Sequence, residues 1–290
     1  MRITKLIIIG IIITSSLNAK MKFEITEGSS KIHLPYQYND NGQCDKMIER
    51  QAYVSCYSYE NKIPLFVAYK LTKESVSPSL KRPSRFFYDN TIPKEYRSLN
   101  SNFKRSGEDK GHMMENASAD FNKQAQLETF ILSNIVPQNS KLNRGAWAFL
   151  EGYTRKLAKI HGTIYVITGA IPSKDNFLKK GHVNIPEYMY KLIYIPSKDR
   201  TISIVVRNDR GIKKSDILKE PYKTTQEKIA SASGISFNFK SLTSEDMNNN
   251  VNIVVNNYKE TGQKSHKKQK KINYKDINYK DMYYKLKKHW

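Results

Sequence analysis

Cysteine is scarce in this sequence, and its scarcity argues against one class of site. Cys44 and Cys56 are the only cysteines among 290 residues, and no CxxC or HxxxH pattern occurs. Structural zinc sites use four cysteine or histidine ligands at such spacings, so none is expected here. In an exported protein, two cysteines close in sequence predict one disulfide, Cys44–Cys56; two unpaired thiols are the alternative.

Acidic residues are few relative to basic ones. The chain has 49 Lys and Arg against 27 Asp and Glu, a formal net charge of +22. Such a charge does not determine a fold, but it favours polyanionic partners: nucleic acids, anionic lipids or cell-wall polymers.

Long apolar runs are limited to the N-terminus. The run from Leu6 to Ile13 follows Arg2 and Lys5 and is too short to cross a bilayer as a helix. Small residues up to Ala19 then offer a cleavage site. We therefore predict a signal peptide at residues 1–19 and a secreted or periplasmic protein with no stable membrane span after cleavage. An uncleaved anchor in the inner membrane is the alternative.

The order of the predicted elements indicates an α+β fold, because strands come first, then a helix, then further strands. Apolar runs bounded by turn residues predict the strands, and apolar residues three and four apart predict the main helix. The predicted strands are 51–59 and 64–72 as an antiparallel hairpin, 127–138 ending at Pro137, 162–171, 190–195 paired with 201–208, and 235–242; the predicted helices are 143–160 and 225–234.

The C-terminal part has a different composition. From Lys259 to Trp290, eleven lysines accompany three acidic residues, and tyrosines recur among the lysines. Such a segment has little to bury and is predicted to be disordered alone. Tyrosine rings and ammonium groups together suit single-stranded nucleic acid. A solvated basic tail with no dedicated partner is the alternative.

Three short segments carry residue types suited to phosphodiester cleavage. They are "DKGH" (109–112), "SNIVPQ" (133–138) and "NRGAWAFLE" (143–151). On the predicted helix, Asn143, Trp147, Glu151 and Arg155 recur every four residues and lie near one face. Amide and carboxylate oxygens suit a hard cation such as Mg²⁺. A neutral histidine suits a general base.

These segments resemble the DNA/RNA non-specific endonucleases, the ββα-metal family, whose pattern is DRGH, SNxxPQ, NxGxW and LE. The order and close spacing agree, and the wider resemblance runs from about Tyr53 to about Leu242. It implies a ββα-metal nuclease fold with a central antiparallel sheet flanked by helices. The expected division is an N-terminal arm at 20–43, the endonuclease domain at 44–245 and the basic, disordered extension at 246–290.

The resemblance also implies catalytic roles. His112 would be the general base and Arg155 would contact the scissile phosphate. Asn134 would help to position the cation, and Lys110 would neutralise phosphate charge. Without this context, His112 would be interpreted as a buried structural histidine.

The implied metal is Mg²⁺, with Mn²⁺ as the alternative. Asn143 would hold it directly and Glu151 would act on its water shell; an exposed helix glutamate is the other interpretation of Glu151. Arg82 and Arg85 are candidate phosphate-binding residues, or simply two of the many basic residues.

The sequence departs from the family pattern at two positions. Lys110 stands where the family usually has arginine, so the charge is kept but the bidentate fork is lost. If that contact is partly desolvated, the loss is about 1–2 kcal/mol of transition-state contact and the enzyme is slower. Glu115 stands where proline is common, and is expected to add a negative charge near the substrate channel.

The predicted function is an exported, metal-dependent endonuclease that acts on both DNA and RNA and leaves 5′-phosphates. The alternatives are a non-catalytic nucleic-acid-binding protein at the cell surface or in the periplasm, and a cell-wall or lipid phosphodiesterase. Candidate protein partners are a second copy of the chain, because family members often dimerise, and an inhibitor protein.

Overall fold

The computed structural model describes residues 36–77, 80–209 and 211–239. The predicted signal peptide, most of the predicted arm and the basic extension lie outside these residues. Within the described ranges, no helix combines the length and apolar character needed to cross a membrane.

One large antiparallel sheet organises the fold. Strands β2, β3, β4, β7, β8 and β9 are hydrogen-bonded neighbours in that order, and two further two-stranded sheets are formed by β1 with β10 and β5 with β6. The strands of the described residues are β1 (Tyr36–Asn39), β2 (Lys46–Glu49), β3 (Tyr53–Ser58), β4 (Ile63–Leu71), β5 (Glu108–His112), β6 (Ile135–Asn139), β7 (Ile164–Ile171), β8 (Tyr188–Ile195), β9 (Arg200–Arg207) and β10 (Ser236–Phe239).

The helices lie mainly in two places, between β5 and β7 and near the end of the described chain. They are α1 (Asn100–Phe103), α2 (Asn116–Ala119), α3 (Lys123–Glu128), α4 (Ser140–Leu142), a π-helical turn (Asn143–Trp147), α5 (Ala148–His161) and α6 (Gln226–Ser233).

Both faces of the large sheet are buried, which explains why its strands read as nearly continuous apolar runs. Side chains alternate between the two faces of a strand. In β4, Val67 and Tyr69 join the core that includes Leu157 of α5. Phe66 and Ala68, which alternate with them in sequence, join a second core that includes Ile229 of α6. Helices α5 and α6 therefore cover opposite faces.

The predicted α+β class, the β3–β4 hairpin and the β8–β9 pair are confirmed. The disulfide is also present: Cys44, just before β2, is bonded to Cys56 in β3. Residues 36–39, at the end of the predicted arm, form β1 and pair with β10.

Two predicted elements differ from the structure. The strand predicted at 127–138 is instead the end of α3, a 3₁₀ turn and the short strand β6. Pro137 lies inside β6 and does not end it, because β6 has only β5 as a neighbour and an edge strand tolerates a missing N–H. The helix predicted at 143–160 begins with the π turn, where Gly145 has φ −106° and ψ −106°.

Candidate active site

The β5–β6 hairpin presents the histidine of the DKGH segment. His112 is the last residue of β5 and lies opposite Ile135 of β6. Gly111 is required here by close packing against the neighbouring strand. A Cβ on Gly111 would lie 2.6 Å from Cβ of Gln138, which no real pair of side chains tolerates.

His112 sits in an aromatic pocket and is only 7% exposed. Its ring centroid lies 5.4 Å from that of Phe86 and 4.9 Å from that of Phe130. The Arg82 guanidinium stacks over Phe130 at 5.1 Å. Burial, reinforced by the nearby charge of Arg82, lowers the pKa of His112 to about 3. The imidazole is therefore neutral at pH 7 and can accept a proton, and its buried Nε2 has no hydrogen-bond partner within the described chain.

Lys110 lies on the same face of β5 as His112. Its Nζ is 5.0 Å from the ring centroid of Phe86 and 5.4 Å from that of Phe103. Partial burial lowers the pKa of Lys110. The ammonium group thus rests on the same phenyl ring that packs against the histidine.

The π-helical turn presents Asn143, and π turns inside helices are frequent at functional sites. The Asn143 Nδ2 donates to Oδ2 of Asp109 at 2.9 Å, and Arg144 donates to both oxygens of the same carboxylate at 2.8 and 2.6 Å. Because the NH₂ end of the amide binds Asp109, the Oδ1 end points elsewhere. Asp109 of the DKGH segment therefore orients the amide of the NRGAW segment.

Glu151 follows two turns later on α5 and is partly buried. Burial and the negative charge of Glu115 raise its pKa to about 8, although Lys191, Arg155 and Arg82 act in the opposite direction. No hydrogen bond to its carboxylate occurs in the described part of the chain. A carboxylate with so little compensation is the kind of group that a cation would stabilise, and together with Asn143 Oδ1 it fits the oxygen ligands of a hard divalent cation.

Arg155, one further turn along α5, forms an ion pair inside the site. Its Nη1 lies 2.9 Å from Oε1 of Glu115. Glu115 is only 5% exposed and is paired with this cation, so its charge is not presented to the substrate channel as the sequence had suggested.

Asn134 and Arg85 lie apart from the groups just described. Asn134 is fully buried; its Oδ1 accepts from the Met114 N–H at 3.0 Å, and its Nδ2 donates to the carbonyls of Met114 and Thr129. Its observed contacts therefore hold the backbone just after His112. Both predicted arginines are exposed, and Arg82 packs on Phe130 of the histidine pocket.

Sequence reasoning missed two residues that touch the site from the sheet, Tyr69 and Lys191. The Tyr69 hydroxyl donates to Glu115 at 3.2 Å, and the fully buried Lys191 donates to Tyr69 at 3.1 Å. The one available signal was a lysine in the middle of the apolar strand "YKLIYI". A lysine there is costly to bury without polar partners.

The same combination of segments recurs in known proteins. The family model for DNA/RNA non-specific endonucleases matches residues 33–269. The chain belongs to this family. Nuclease C1 of Cunninghamella echinulata var. echinulata is 30% identical over 218 residues, which cover 69% of this chain and 86% of that nuclease. The mitochondrial nuclease of Saccharomyces cerevisiae is 33% identical over 174 residues, 54% of this chain, and the match spans only 53% of its own length.

A solved structure of the family has the same fold. The structure of EndoG in complex with EndoGI superposes with a TM-score of 0.61 at 27% sequence identity. The matched region covers 72% of this chain and 94% of the chain in that structure. The predicted ββα-metal fold is thereby confirmed, and family membership places the chain among nucleases, which are hydrolases. The family is metal-dependent.

Proposed function

We propose that this protein is a metal-dependent endonuclease that hydrolyses phosphodiester bonds of both DNA and RNA. The observation that carries the proposal is a buried histidine, neutral at pH 7, beside a helix that presents one amide and one undercompensated carboxylate. Two cationic side chains lie near the histidine: Arg82 packs on Phe130 and Lys110 on Phe86, the two rings that also contact His112.

His112 is assigned as the general base. It accepts a proton from water as the water oxygen forms a bond to phosphorus, and the bond from phosphorus to the 3′ oxygen breaks. The 3′ oxygen takes up a proton from solvent, so the products are a 5′-phosphate and a 3′-hydroxyl. A divalent cation, Mg²⁺ or alternatively Mn²⁺, would be held by Asn143 with Glu151 on its water shell, and would supply charge stabilisation at the phosphate and the leaving oxygen.

The remaining site residues bind or orient. Arg155 offers N–H donors to the non-bridging phosphate oxygens, with Arg82 and Lys110 adding positive charge around them. Asp109 fixes the amide of Asn143, and Asn134 fixes the backbone that follows His112. All of these groups address phosphate and none addresses a base edge, which favours cleavage without sequence preference.

Export is part of the proposal. The predicted signal peptide directs the chain out of the cytoplasm, and the Cys44–Cys56 disulfide favours an oxidising compartment. The expected location is therefore secreted or periplasmic.

The test is digestion of supercoiled plasmid and of single-stranded RNA by protein lacking residues 1–19, with Mg²⁺ or with a chelator. We expect cleavage of both substrates with Mg²⁺ only, and a loss of at least about 100-fold in His112→Ala, because that variant lacks the base. His161→Ala is the matched control, since His161 ends α5 and lies outside the site. Tight binding of both substrates without cleavage would overturn the proposal in favour of a nucleic-acid-binding protein.

A further inference from the structure

We infer that Glu115 is a positioning residue, which holds Arg155 at the place where the scissile phosphate binds. The inference rests on the proposed function. Proline is common at this position in the family pattern and has no side-chain acceptor. The contact with Arg155 therefore depends on the glutamate of this chain.

The Glu115 carboxylate has a partner on each oxygen. Oε1 accepts from Nη1 of Arg155 at 2.9 Å and from the hydroxyl of Ser118. Oε2 accepts from the Tyr69 hydroxyl at 3.2 Å. Because these donors come from α5, α2 and β4, the carboxylate joins three elements at one point.

The contact with Tyr69 continues into the large sheet. Lys191 is fully buried, and its Nζ donates to the hydroxyls of Thr168 at 2.5 Å and Tyr69 at 3.1 Å. Thr168 and Lys191 lie directly opposite each other on β7 and β8. Arg155 is thus linked through Glu115 and Tyr69 to two neighbouring strands inside the large sheet.

The same carboxylate is tied to the general base by the chain itself. Glu115 follows His112 by three residues. Between them, the Met114 N–H donates to Oδ1 of the buried Asn134, and Asn134 Nδ2 donates to the Met114 carbonyl. One short segment therefore sets the position of both the base and the guanidinium.

The charges also suit a positioning role. Glu115 has two cationic neighbours, the fully buried Lys191 and the partly buried Arg155, so its carboxylate is shared between two positive charges. A guanidinium has five N–H donors, and the contact with Glu115 is made through one of its nitrogen atoms, Nη1.

The test is a double-mutant cycle on plasmid cleavage with Glu115→Gln, Arg155→Ala and the double variant. Glutamine keeps the size and loses the charge that orients Arg155. We expect Glu115→Gln to lower kcat about tenfold with KM changed less than about twofold, and the double variant to be no slower than Arg155→Ala. Glu60→Gln, in the exposed turn between β3 and β4, is the matched control and should cleave normally.

A second measurement does not depend on activity. The mobility of the Arg155 side chain can be measured by ¹⁵N relaxation of its Nε–H group, whose signal is assigned by its absence in Arg155→Ala. We expect this group to be rigid in the unaltered protein and mobile in Glu115→Gln. Tyr69→Phe, which removes only the hydroxyl, should give intermediate mobility and serves if Glu115→Gln does not fold.

The two measurements separate the possible failures. Equal or faster cleavage by Glu115→Gln, or losses that multiply in the double variant, would overturn the inference. Unchanged mobility of Arg155 would overturn it as well. If the unaltered protein cleaves neither substrate but Arg155 becomes mobile in Glu115→Gln, the proposed function is wrong. Glu115 is then still the residue that holds Arg155.

Discussion

Two groups of charged side chains inside this domain differ in how fully their carboxylates are hydrogen-bonded. The first is the Arg50–Asp89 pair, whose side chains are 0% and 1% exposed and lie 2.6 Å apart. The second is the active-site network, defined as Glu115, Arg155, Lys191 and the nearby Glu151.

In the Arg50–Asp89 pair, the carboxylate is fully satisfied. Asp89 accepts one hydrogen bond from Arg50, one from Ser133 and two from Thr91. Burial alone would raise the pKa of Asp89, but Arg50 and these hydrogen bonds outweigh it and hold that pKa below its ordinary value. The charged form is therefore favoured by folding, and the pair serves stability.

In the active-site network, one carboxylate is satisfied and the other is not. Burial would raise the pKa of Glu115, but Lys191 and Arg155, together with Ser118, hold it below its ordinary value. Glu151 receives no hydrogen bond from the described residues, and its pKa is raised to about 8. A carboxylate whose charge is balanced by hydrogen bonds and cations stabilises the fold. A carboxylate at a site that lacks such partners, and whose pKa is strongly shifted, is a candidate for binding a ligand.

The largest effect is expected from breaking the Arg50–Asp89 pair. Asp89→Ala leaves Arg50 buried without its carboxylate, which should lower the free energy of unfolding by about 3–5 kcal/mol. Urea unfolding of the oxidised protein measures this. Asp216→Ala, which removes a surface partner of Lys219, is the control and should leave the midpoint nearly unchanged. A small loss in Asp89→Ala would mean that this pair is no more stabilising than a surface one.

The opposite result is expected from Glu151→Gln. At pH 7 this carboxyl is mostly protonated in the cation-free fold but ionised in the unfolded chain, so replacing it with glutamine should leave the stability of the cation-free protein equal or raise it. The affinity for Mg²⁺ or Mn²⁺ should fall about 10- to 100-fold, as for residues that support a metal's ligands. Calorimetric titration and urea unfolding with chelator give the two quantities. A clear loss of stability with unchanged cation affinity would place Glu151 with the structural charges.

The same contrast explains how much could be predicted from the sequence. The motif residues were identifiable because their chemistry depends on local spacing, as for His112 in DKGH and Asn143 in NRGAW. The apolar runs of β4, β8 and β9 likewise report local burial. The contact between Glu115 and Arg155 joins residues 40 apart, and that between Lys191 and Tyr69 joins residues 122 apart. No local pattern encodes such contacts.

Two local features were also beyond pattern reasoning. The first is the need for glycine at position 111, where the side chain of Gln138 from the neighbouring strand occupies the space of a Cβ. The π turn that presents Asn143 interrupts a regular 3.6-residue period, which sequence spacing assumes to be continuous. For Gly111 the decisive partner lies on another strand.

The smallest effect expected is a pH dependence of cation binding. The pKa of Glu151 in the cation-free fold is about 8, against an ordinary value of 4.5, so most of this carboxyl is protonated at pH 7. A cation favours the charged form, so binding must release the proton and the apparent affinity must rise with pH. For a single group of this pKa the rise is about fivefold between pH 7 and pH 8.

Calorimetric titration in two buffers of different ionisation enthalpy measures the released proton directly. Glu151→Gln should abolish both the release and the pH dependence. Equal proton release in that variant would assign the titration to another group and would remove Glu151 from the cation site.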